Sequence, residues 1–233
     1  TFKADRLATT FAKKAGYQTE TTDKAESQHD MLRRLELTEE MHTEIIDYCN
    51  QCEINFLSTG FDIESVNYLE SLGQKIIKIP SGEITNKPYL RHIGALKKKV
   101  IMSTGMANMD EIGAAIEVLL KGGLSLNDLT VLHCTTQYPT PMEEVNLSAM
   151  QSIKEKFNVA VGYSDHTNGI EVAVAAVAMG AEIIEKHFTL DKNLPGPDHK
   201  ASLDPTELSA MVSAIRNIDR AIGDGNKIMT VSE

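Results

Sequence analysis

Two histidines have the context of a metal site. His166 follows Ser164-Asp165 and His187 follows Glu185-Lys186, each directly after a short apolar segment. Neutral imidazoles bind first-row divalent metals, and nearby carboxylates and water complete an octahedral Mn²⁺ site. The two residues are therefore candidate metal ligands. The alternative is a pair of histidines hydrogen-bonded to the backbone.

Lys78 lies inside the apolar segment Ile76–Ile79, where a buried ammonium group requires an anionic partner. A bound phosphate or carboxylate provides one, and so does a side chain such as Glu83 or Glu185. A Schiff-base role is also open, because a desolvated lysine can act as a nucleophile. Hydroxyl groups near the ends of the apolar segments favour an anion site. They belong to Thr59, Ser81, Ser103 and Ser164.

Two carboxylates are further candidates. Glu83 closes the turn after Lys78 and could move a proton or hold a metal-bound water, with a surface ion pair as the alternative. Asp198 belongs to the Pro- and Gly-rich loop 194–199, which we expect over the site; a turn capped by Asp is the alternative.

The remaining histidines and cysteines are interpreted as lacking a catalytic role. Cys49 and Cys52 end a helix, where the helix dipole does not favour a thiolate, and no second ligand pair accompanies them for zinc. We take His133 as structural and His199 as a loop residue near the site. Three others are predicted to be surface helix residues: His29, His42 and His92.

Composition excludes several classes of protein. The 233 residues are 42% hydrophobic, and 33 acidic against 23 basic residues give a formal charge of -10. A broad basic face for nucleic acid is therefore not expected. No apolar run approaches the roughly 20 residues that span a bilayer. Three cysteines indicate a reducing compartment, and hence a cytoplasmic protein.

Helical patterns alternate with short apolar runs beyond residue 40, as in a parallel α/β fold. The predicted strands are Ile54–Ser58, Lys75–Ile79, Lys99–Ser103, Thr130–Cys134, Val159–Tyr163 and Glu182–His187. The predicted helices are Glu39–Cys52, Ile63–Leu72, Pro88–Leu96, Asp110–Leu120, Leu147–Phe157, Gly169–Met179 and Thr206–Ile222. Since no Gly-x-Gly-x-x-Gly opens a helix, we favour a TIM (β/α)8 barrel over a doubly wound sheet. The candidate residues then share the carboxyl ends of the strands.

The chain contains about six of the eight strand–helix units of such a barrel, and its first residues look like the end of a strand. We therefore expect an N-terminally truncated catalytic barrel over residues 1–222. Residues 223–233 have linker composition and are expected to lead to a further domain.

Six segments together resemble the sialic acid synthase family. They are Lys78-Ile79-Pro80-Ser81-Gly82-Glu83, Ser103-Thr104-Gly105-Met106, residues 133–141, Tyr163-Ser164-Asp165-His166-Thr167, Glu185-Lys186-His187-Phe188-Thr189 and Gly196-Pro197-Asp198. The resemblance covers nearly the whole chain in order, and residues 1–5 and 26–28 look like those of bacterial members.

The resemblance implies a condensation of phosphoenolpyruvate (PEP) with N-acetylmannosamine, giving N-acetylneuraminate and phosphate by C–O cleavage. It implies that His166 and His187 hold Mn²⁺ or Mg²⁺ and that Glu83 acts beside the metal. It places Tyr138 and Asp198 at the amino sugar. The implied PEP ligands are Lys78, Thr59, Ser81, Ser103, Ser164 and Thr136.

Two kinds of alternative stay open. Legionaminate and pseudaminate synthases share this chemistry with another acceptor sugar, and a metal-dependent barrel aldolase could use the same histidines. The resemblance also implies a first strand–helix unit and a C-terminal antifreeze-like domain, which this chain lacks, and a domain-swapped homodimer. We therefore expect this chain alone to be weakly active or inactive.

Overall fold

Five short parallel strands form one sheet whose order follows the sequence. The computed structural model describes residues 1–14, 18, 26–196, 198–229 and 232–233. The strands are β1 (Ile76–Ile79), β2 (Lys99–Ser103), β3 (Leu129–Cys134), β4 (Ala160–Asp165) and β5 (Ile184–Lys186). All neighbouring pairs are parallel, so every strand ends at the same edge of the sheet.

Helices connect the strands and cover the outer face of the sheet. They are α1 (Ala4–Leu7), α2 (Gln28–Arg34), α3 (Glu39–Gln51), α4 (Ile63–Ser71), α5 (Lys87–Leu96), α6 (Met109–Gly122), α7 (Ser148–Phe157), α8 (Glu171–Ala178) and α9 (Pro205–Ile222). The expected alternation of helix and strand is confirmed from β1 onward. Each crossover contains a helix, as parallel neighbours require.

Strong curvature turns the sheet into a half-barrel. β1 and β5 are its two edges, and in a flat sheet they would lie about 19 Å apart at the usual strand spacing. The side chains of Lys78 on β1 and Glu185 on β5 nevertheless meet, with 3.1 Å between Nζ and Oε2. The sheet must therefore curl around these side chains. The parallel α/β barrel architecture is confirmed to this extent.

The two faces of the half-barrel differ in chemistry. Ile77 and Ile79 of β1 point outward into the main apolar core, together with Val100 and Met102 of β2. Side chains alternate along a strand, so Lys78 between the two isoleucines points into the barrel interior. The apolar layer between sheet and helices thus carries the packing. The interior holds polar groups such as Lys78 beside apolar ones such as Ile101, its partner in the register.

Helix boundaries follow the expected capping. Asn108 and Asp204 each form a capping box with the glutamate three residues later, at the starts of α6 and α9. Gly123 ends α6 with φ 116°, a left-handed conformation that glycine adopts without strain.

Residues 54–58 do not form the predicted strand; Thr59, the next residue, makes an isolated bridge to Lys78. The side chain of Gln74 explains this. Its amide accepts from the backbone N–H of Ser58 at 2.9 Å and donates to the Ser58 carbonyl at 2.9 Å. A side chain thus occupies the backbone groups that a strand ladder would use.

The prediction that His29 and His42 lie on the surface is wrong, because they are 5% and 1% exposed. His29 Nε2 lies 2.7 Å from Asp5 Oδ1, and His42 Nε2 lies 2.7 Å from Thr1 Oγ1. Both partners are distant in sequence, so helical periodicity could not reveal them.

Within the part of the chain that the structure describes, no helix is long and apolar enough to cross a membrane.

Candidate active site

Four polar side chains, linked by hydrogen bonds and an ion pair, cross the interior of the half-barrel. Lys78 is 5% exposed, and its Nζ donates to Ser103 Oγ at 2.8 Å. The same nitrogen lies 3.1 Å from Glu185 Oε2, and Glu185 Oε1 accepts from Ser164 Oγ at 2.7 Å. We call these four residues the anion pocket. The structure thus brings together three predicted PEP ligands from β1, β2 and β4.

A close backbone approach lies beside this pocket. The Gly105 N–H donates to Ser81 Oγ at 2.9 Å. A Cβ at position 105 would lie 2.5 Å from Thr136 Cγ2 and 2.9 Å from Ser81 Oγ. Only glycine fits between these two predicted substrate-binding residues without a shift. Cys134, buried here too, has its Sγ 3.4 Å from Ser81 Oγ.

The two predicted metal ligands lie side by side. The β4–β5 register pairs Ser164 with Glu185 and Asp165 with Lys186, so His166 and His187 follow as the next pair. Their ring centroids are 5.4 Å apart, with an interplanar angle of 71°. The expectation that these side chains converge is confirmed. We call them the histidine pair.

Hydrogen bonding fixes the tautomer of His166. Its Nδ1 lies 2.6 Å from the carbonyl oxygen of Thr135, which only accepts, so Nδ1 carries the proton. A neutral ring then keeps the lone pair of Nε2, which lies 3.4 Å from Ser164 Oγ. Burial lowers the pKa of His166 and the neighbouring His187 lowers it further, although the Thr135 carbonyl opposes this. The neutral, ligand-competent form is therefore favoured.

Tyr138 and Asp198 flank the histidine pair. The Tyr138 ring lies 4.2 Å from that of His166 and 5.5 Å from that of His187, centroid to centroid. Asp198 Oδ2 lies 3.9 Å from His187 Nδ1. Pro197, in the predicted motif around Asp198, lies outside the described residues. Both residues proposed for sugar binding are thus at the carboxyl end of the sheet.

Two further predicted site residues lie near Lys78. Glu83 follows it closely in the sequence, and Thr59 is joined to it by a β-bridge. Glu83 belongs to the turn Ser81–Glu83, and its Oε2 accepts from Asn86 Nδ2 at 2.7 Å. Thr59 bridges to Lys78, and its carbonyl accepts from the amino group of Thr1 at 2.7 Å. The role of Glu83 beside a metal remains a prediction.

The structure settles the partner of Lys78 and adds an ion pair that sequence reasoning did not assign. Glu185, one of the two candidate partners, belongs to the anion pocket, and Asp165 forms a buried ion pair with Lys186. Both follow from one signal: in parallel strands of matched register, alternate residues face the same side. His133, by contrast, turns outward and bonds the Val145 carbonyl at 2.9 Å, which agrees with its structural interpretation.

The histidine pair offers two imidazole donors of the kind that bind first-row divalent metals, and its metal role remains a prediction. Among the described residues, no group of three or more His, Cys, Asp or Glu side chains is placed to hold a metal ion. Water or substrate would have to complete the coordination of an ion held by these two imidazoles.

The half-barrel thus carries its lysine, hydroxyl and histidine side chains at the carboxyl ends of the strands, where barrel enzymes have their active sites. The profile of the NeuB family matches residues 1–227. The chain belongs to the NeuB family, which confirms the resemblance found in the sequence.

Individual relatives agree with this assignment. The chain is 57% identical over 232 residues to N,N'-diacetyllegionaminic acid synthase of Campylobacter jejuni, covering 100% of this chain and 70% of that protein. It is 49% identical over 229 residues to the enzyme of the same name from Legionella pneumophila, covering 97% of this chain and 64% of that protein.

Among solved structures, the chain is similar to N-acetylneuraminic acid synthetase from Leptospira borgpetersenii, crystallised with citrate. The TM-score is 0.85 at 31% identity, covering 99% of this chain and 75% of that one. This similarity extends through the whole half-barrel.

Proposed function

We propose that the protein condenses PEP with a doubly acetamidated amino sugar, forming N,N'-diacetyllegionaminic acid and releasing phosphate. The observation that carries the reaction class is the anion pocket next to the histidine pair. The pocket supplies positive charge and hydroxyl donors for a phosphorylated acid. The histidine pair supplies two metal ligands within reach of the same space.

Lys78 and its hydroxyl neighbours would bind the anionic groups of PEP. Lys78 is held by Ser103 and Glu185, so its ammonium group is oriented before substrate arrives. Glu185 is 43% exposed at its side chain, so it can turn aside when an anion takes its place. Ser81, Ser103, Ser164, Thr59 and Thr136 are the proposed further ligands. Such preorganised donors stabilise charge that changes during the reaction.

His166 and His187 would hold a divalent cation, Mn²⁺ or Mg²⁺. When bound, the cation supplies a Lewis acid that polarises the carbonyl of the sugar. His166 is prepared for this role because Thr135 keeps the proton on Nδ1. Tyr138 and Asp198, which flank the histidine pair, are proposed to position the sugar.

The reaction balances without a covalent lysine. C3 of PEP bonds to the aldehyde carbon, and the carbonyl oxygen takes a proton to become a hydroxyl. Water adds to C2, and the C2–O bond to phosphate then breaks, leaving a ketone and inorganic phosphate. Glu83 is the proposed acid–base group for these proton transfers. A Schiff base at Lys78 is unnecessary.

The identity of the acceptor is supported by the relatives. The resemblance to sialic acid synthases implies N-acetylmannosamine and N-acetylneuraminate, whereas identities of 57% and 49% to N,N'-diacetyllegionaminic acid synthases favour the legionaminate alternative. PEP contains no nitrogen, so both acetamido groups of that product must come from the acceptor. We therefore propose a diacetamido sugar in place of N-acetylmannosamine.

A panel of acceptors tests the proposal. Phosphate release from PEP is measured with the intact protein, with diacetamido sugars of different configuration and N-acetylmannosamine as acceptors. The legionaminate precursor should give the largest kcat/KM. Preference for N-acetylmannosamine would return the assignment to N-acetylneuraminate, and preference for another diacetamido stereoisomer would favour pseudaminate. Turnover of an aldehyde without PEP would contradict the reaction class.

The larger assembly is also a proposal. We infer a cytoplasmic enzyme, supported by the reducing-compartment pattern of its cysteines. A complete eight-stranded barrel, an antifreeze-like domain and a swapped homodimer remain expectations from the resemblance.

A further inference from the structure

A buried ion pair lies directly behind the histidine pair. Lys186 Nζ donates to Asp165 Oδ2 at 2.8 Å, and the two side chains are 2% and 0% exposed. The same ammonium donates to the Thr167 carbonyl at 2.6 Å. Asp165 Oδ1 accepts from the N–H and Oγ1 of Thr167 at 2.9 and 2.8 Å. Both carboxylate oxygens are therefore occupied.

Strand alternation links this pair to the histidines. Ser164 and Glu185 face the barrel interior, and Asp165 and Lys186 are paired in the register one position later. The side chains at this next position face the outside of the barrel. The position after that brings His166 and His187 back to the inner side. Each histidine thus follows immediately after one partner of the ion pair.

The stability of the fold does not explain well why a charged pair is buried at positions 165 and 186. A buried ion pair loses much of its attraction to desolvation, and an apolar pair of similar volume often serves a fold as well. A directional, fully bonded pair does, however, fix register and side-chain geometry. At this place, fixing residue 165 against residue 186 also fixes the backbone from which both imidazoles extend.

We propose that the Asp165–Lys186 pair positions His166 and His187 at the separation needed to share one divalent cation. The inference rests on the proposed function for the metal role of the histidines. Neither Asp165 nor Lys186 contacts substrate in this account; both act through the residues that follow them. Thr167 has the same positioning role, because it joins the loop after His166 to the Asp165 carboxylate and the Lys186 ammonium group by hydrogen bonds.

The neutral double variant Asp165→Asn/Lys186→Met is the informative one. Lys186→Met alone leaves a buried carboxylate without a counter-charge, whereas the double variant removes both charges and keeps similar volumes. Lys98→Met is the matched control, because Lys98 Nζ bonds one carboxylate, Glu70, at 3.2 Å and one carbonyl, that of Gln74, at 3.0 Å. Lys98 precedes β2, at the opposite end of the sheet.

Two measurements are made on the intact protein, with circular dichroism to confirm folding. Mn²⁺ is titrated and the free ion is monitored by its electron paramagnetic resonance signal. The double variant should bind Mn²⁺ roughly tenfold more weakly than the wild type, or more weakly still. The Lys98→Met protein should match the wild type. Crystal structures should show a changed distance between the His166 and His187 rings, which is 5.4 Å in the wild type.

The outcomes separate this inference from the proposed function. A folded double variant that keeps the wild-type ring distance and Mn²⁺ affinity would overturn the positioning role. A wild-type protein that binds no Mn²⁺ would instead contradict the proposed metal role. The ring distance in the two crystal structures decides the positioning role in either case. Lys186→Arg, which keeps the charge, should retain most of the affinity.

Discussion

Lys78 on β1 and Glu185 on β5 form an ion pair of 3.1 Å across the interior of the half-barrel, although their strands are the two edges of the sheet. The contact is possible only because the sheet is strongly curved. In the proposed function it also places a carboxylate in the substrate site. Glu185 occupies the place beside the ammonium group that a phosphate or carboxylate would take. An anion must therefore compete with it.

Substitutions of Lys78 and Glu185 should have opposite effects on anion binding. Lys78→Met should weaken binding of inorganic phosphate and PEP by about tenfold or more, because the buried cation is lost. Glu185→Gln should strengthen phosphate binding, because it removes the competing charge and keeps a group that can accept from Ser164. Calorimetric titration measures both. Equal weakening by the two substitutions would contradict an anion site at Lys78.

Gly105 should tolerate no side chain unless its neighbour shrinks. Gly105→Ala places a Cβ 2.5 Å from Thr136 Cγ2, and overpacking of this kind costs about 1–3 kcal/mol. Urea unfolding should show the loss, and KM for PEP should rise. Adding Thr136→Ser removes the methyl group and should recover part of both. No recovery in the double variant would place the obstruction elsewhere.

Loss of a histidine of the pair should strongly weaken metal binding. His166→Ala should weaken Mn²⁺ binding by roughly 100-fold or more, since loss of an outer-shell partner alone costs roughly 10–100-fold. His92→Ala is the control, because His92 lies on α5 and bonds Asn67 Oδ1 at 2.7 Å. Unchanged Mn²⁺ affinity in His166→Ala would remove the histidine pair from the metal site.

His133 should make stability fall in mild acid. Burial lowers the pKa of His133, outweighing the Val145 carbonyl that favours the protonated ring. The unfolded chain then binds the proton more readily, so this stability is fully present above pH about 6.5 and is lost as pH falls toward the folded-state pKa.

The loss is limited to about 1.4 kcal/mol per pH unit. Urea unfolding of the wild type and of His133→Gln, between pH 7.5 and 5.5, isolates this contribution because the other titrating groups are shared. The wild type should lose more free energy of unfolding than the variant. Parallel pH dependence in the two proteins would contradict the assignment.

Much of the site could be predicted from the sequence because it depends on strand ends. The residues that follow apolar runs, such as Ser103, Ser164 and His166, share one edge in any parallel sheet, and the structure brings them together. Contacts between residues far apart in the sequence could not be predicted in this way. Lys78 had two candidate partners, Glu83 and Glu185, and only the curvature of the sheet decides between them.

Side-chain bonds to the backbone account for the strand that is absent. Residues 54–58 have the composition of a strand, but Gln74 takes both backbone groups of Ser58. Periodicity likewise predicts that His42 is exposed, although Thr1 bonds its Nε2 and the rings of Phe56 and Tyr68 pack against it. In each case the deciding partner comes from another element, which a local pattern does not contain.

The fate of the bridging oxygen of PEP tests the reaction most directly. PEP carrying a heavy-oxygen label between C2 and phosphorus is supplied with the diacetamido acceptor, and the released phosphate is analysed by mass spectrometry. C–O cleavage predicts that the phosphate keeps the label and appears only when the acceptor is present. Unlabelled phosphate, or release without an acceptor sugar, would contradict the proposed condensation.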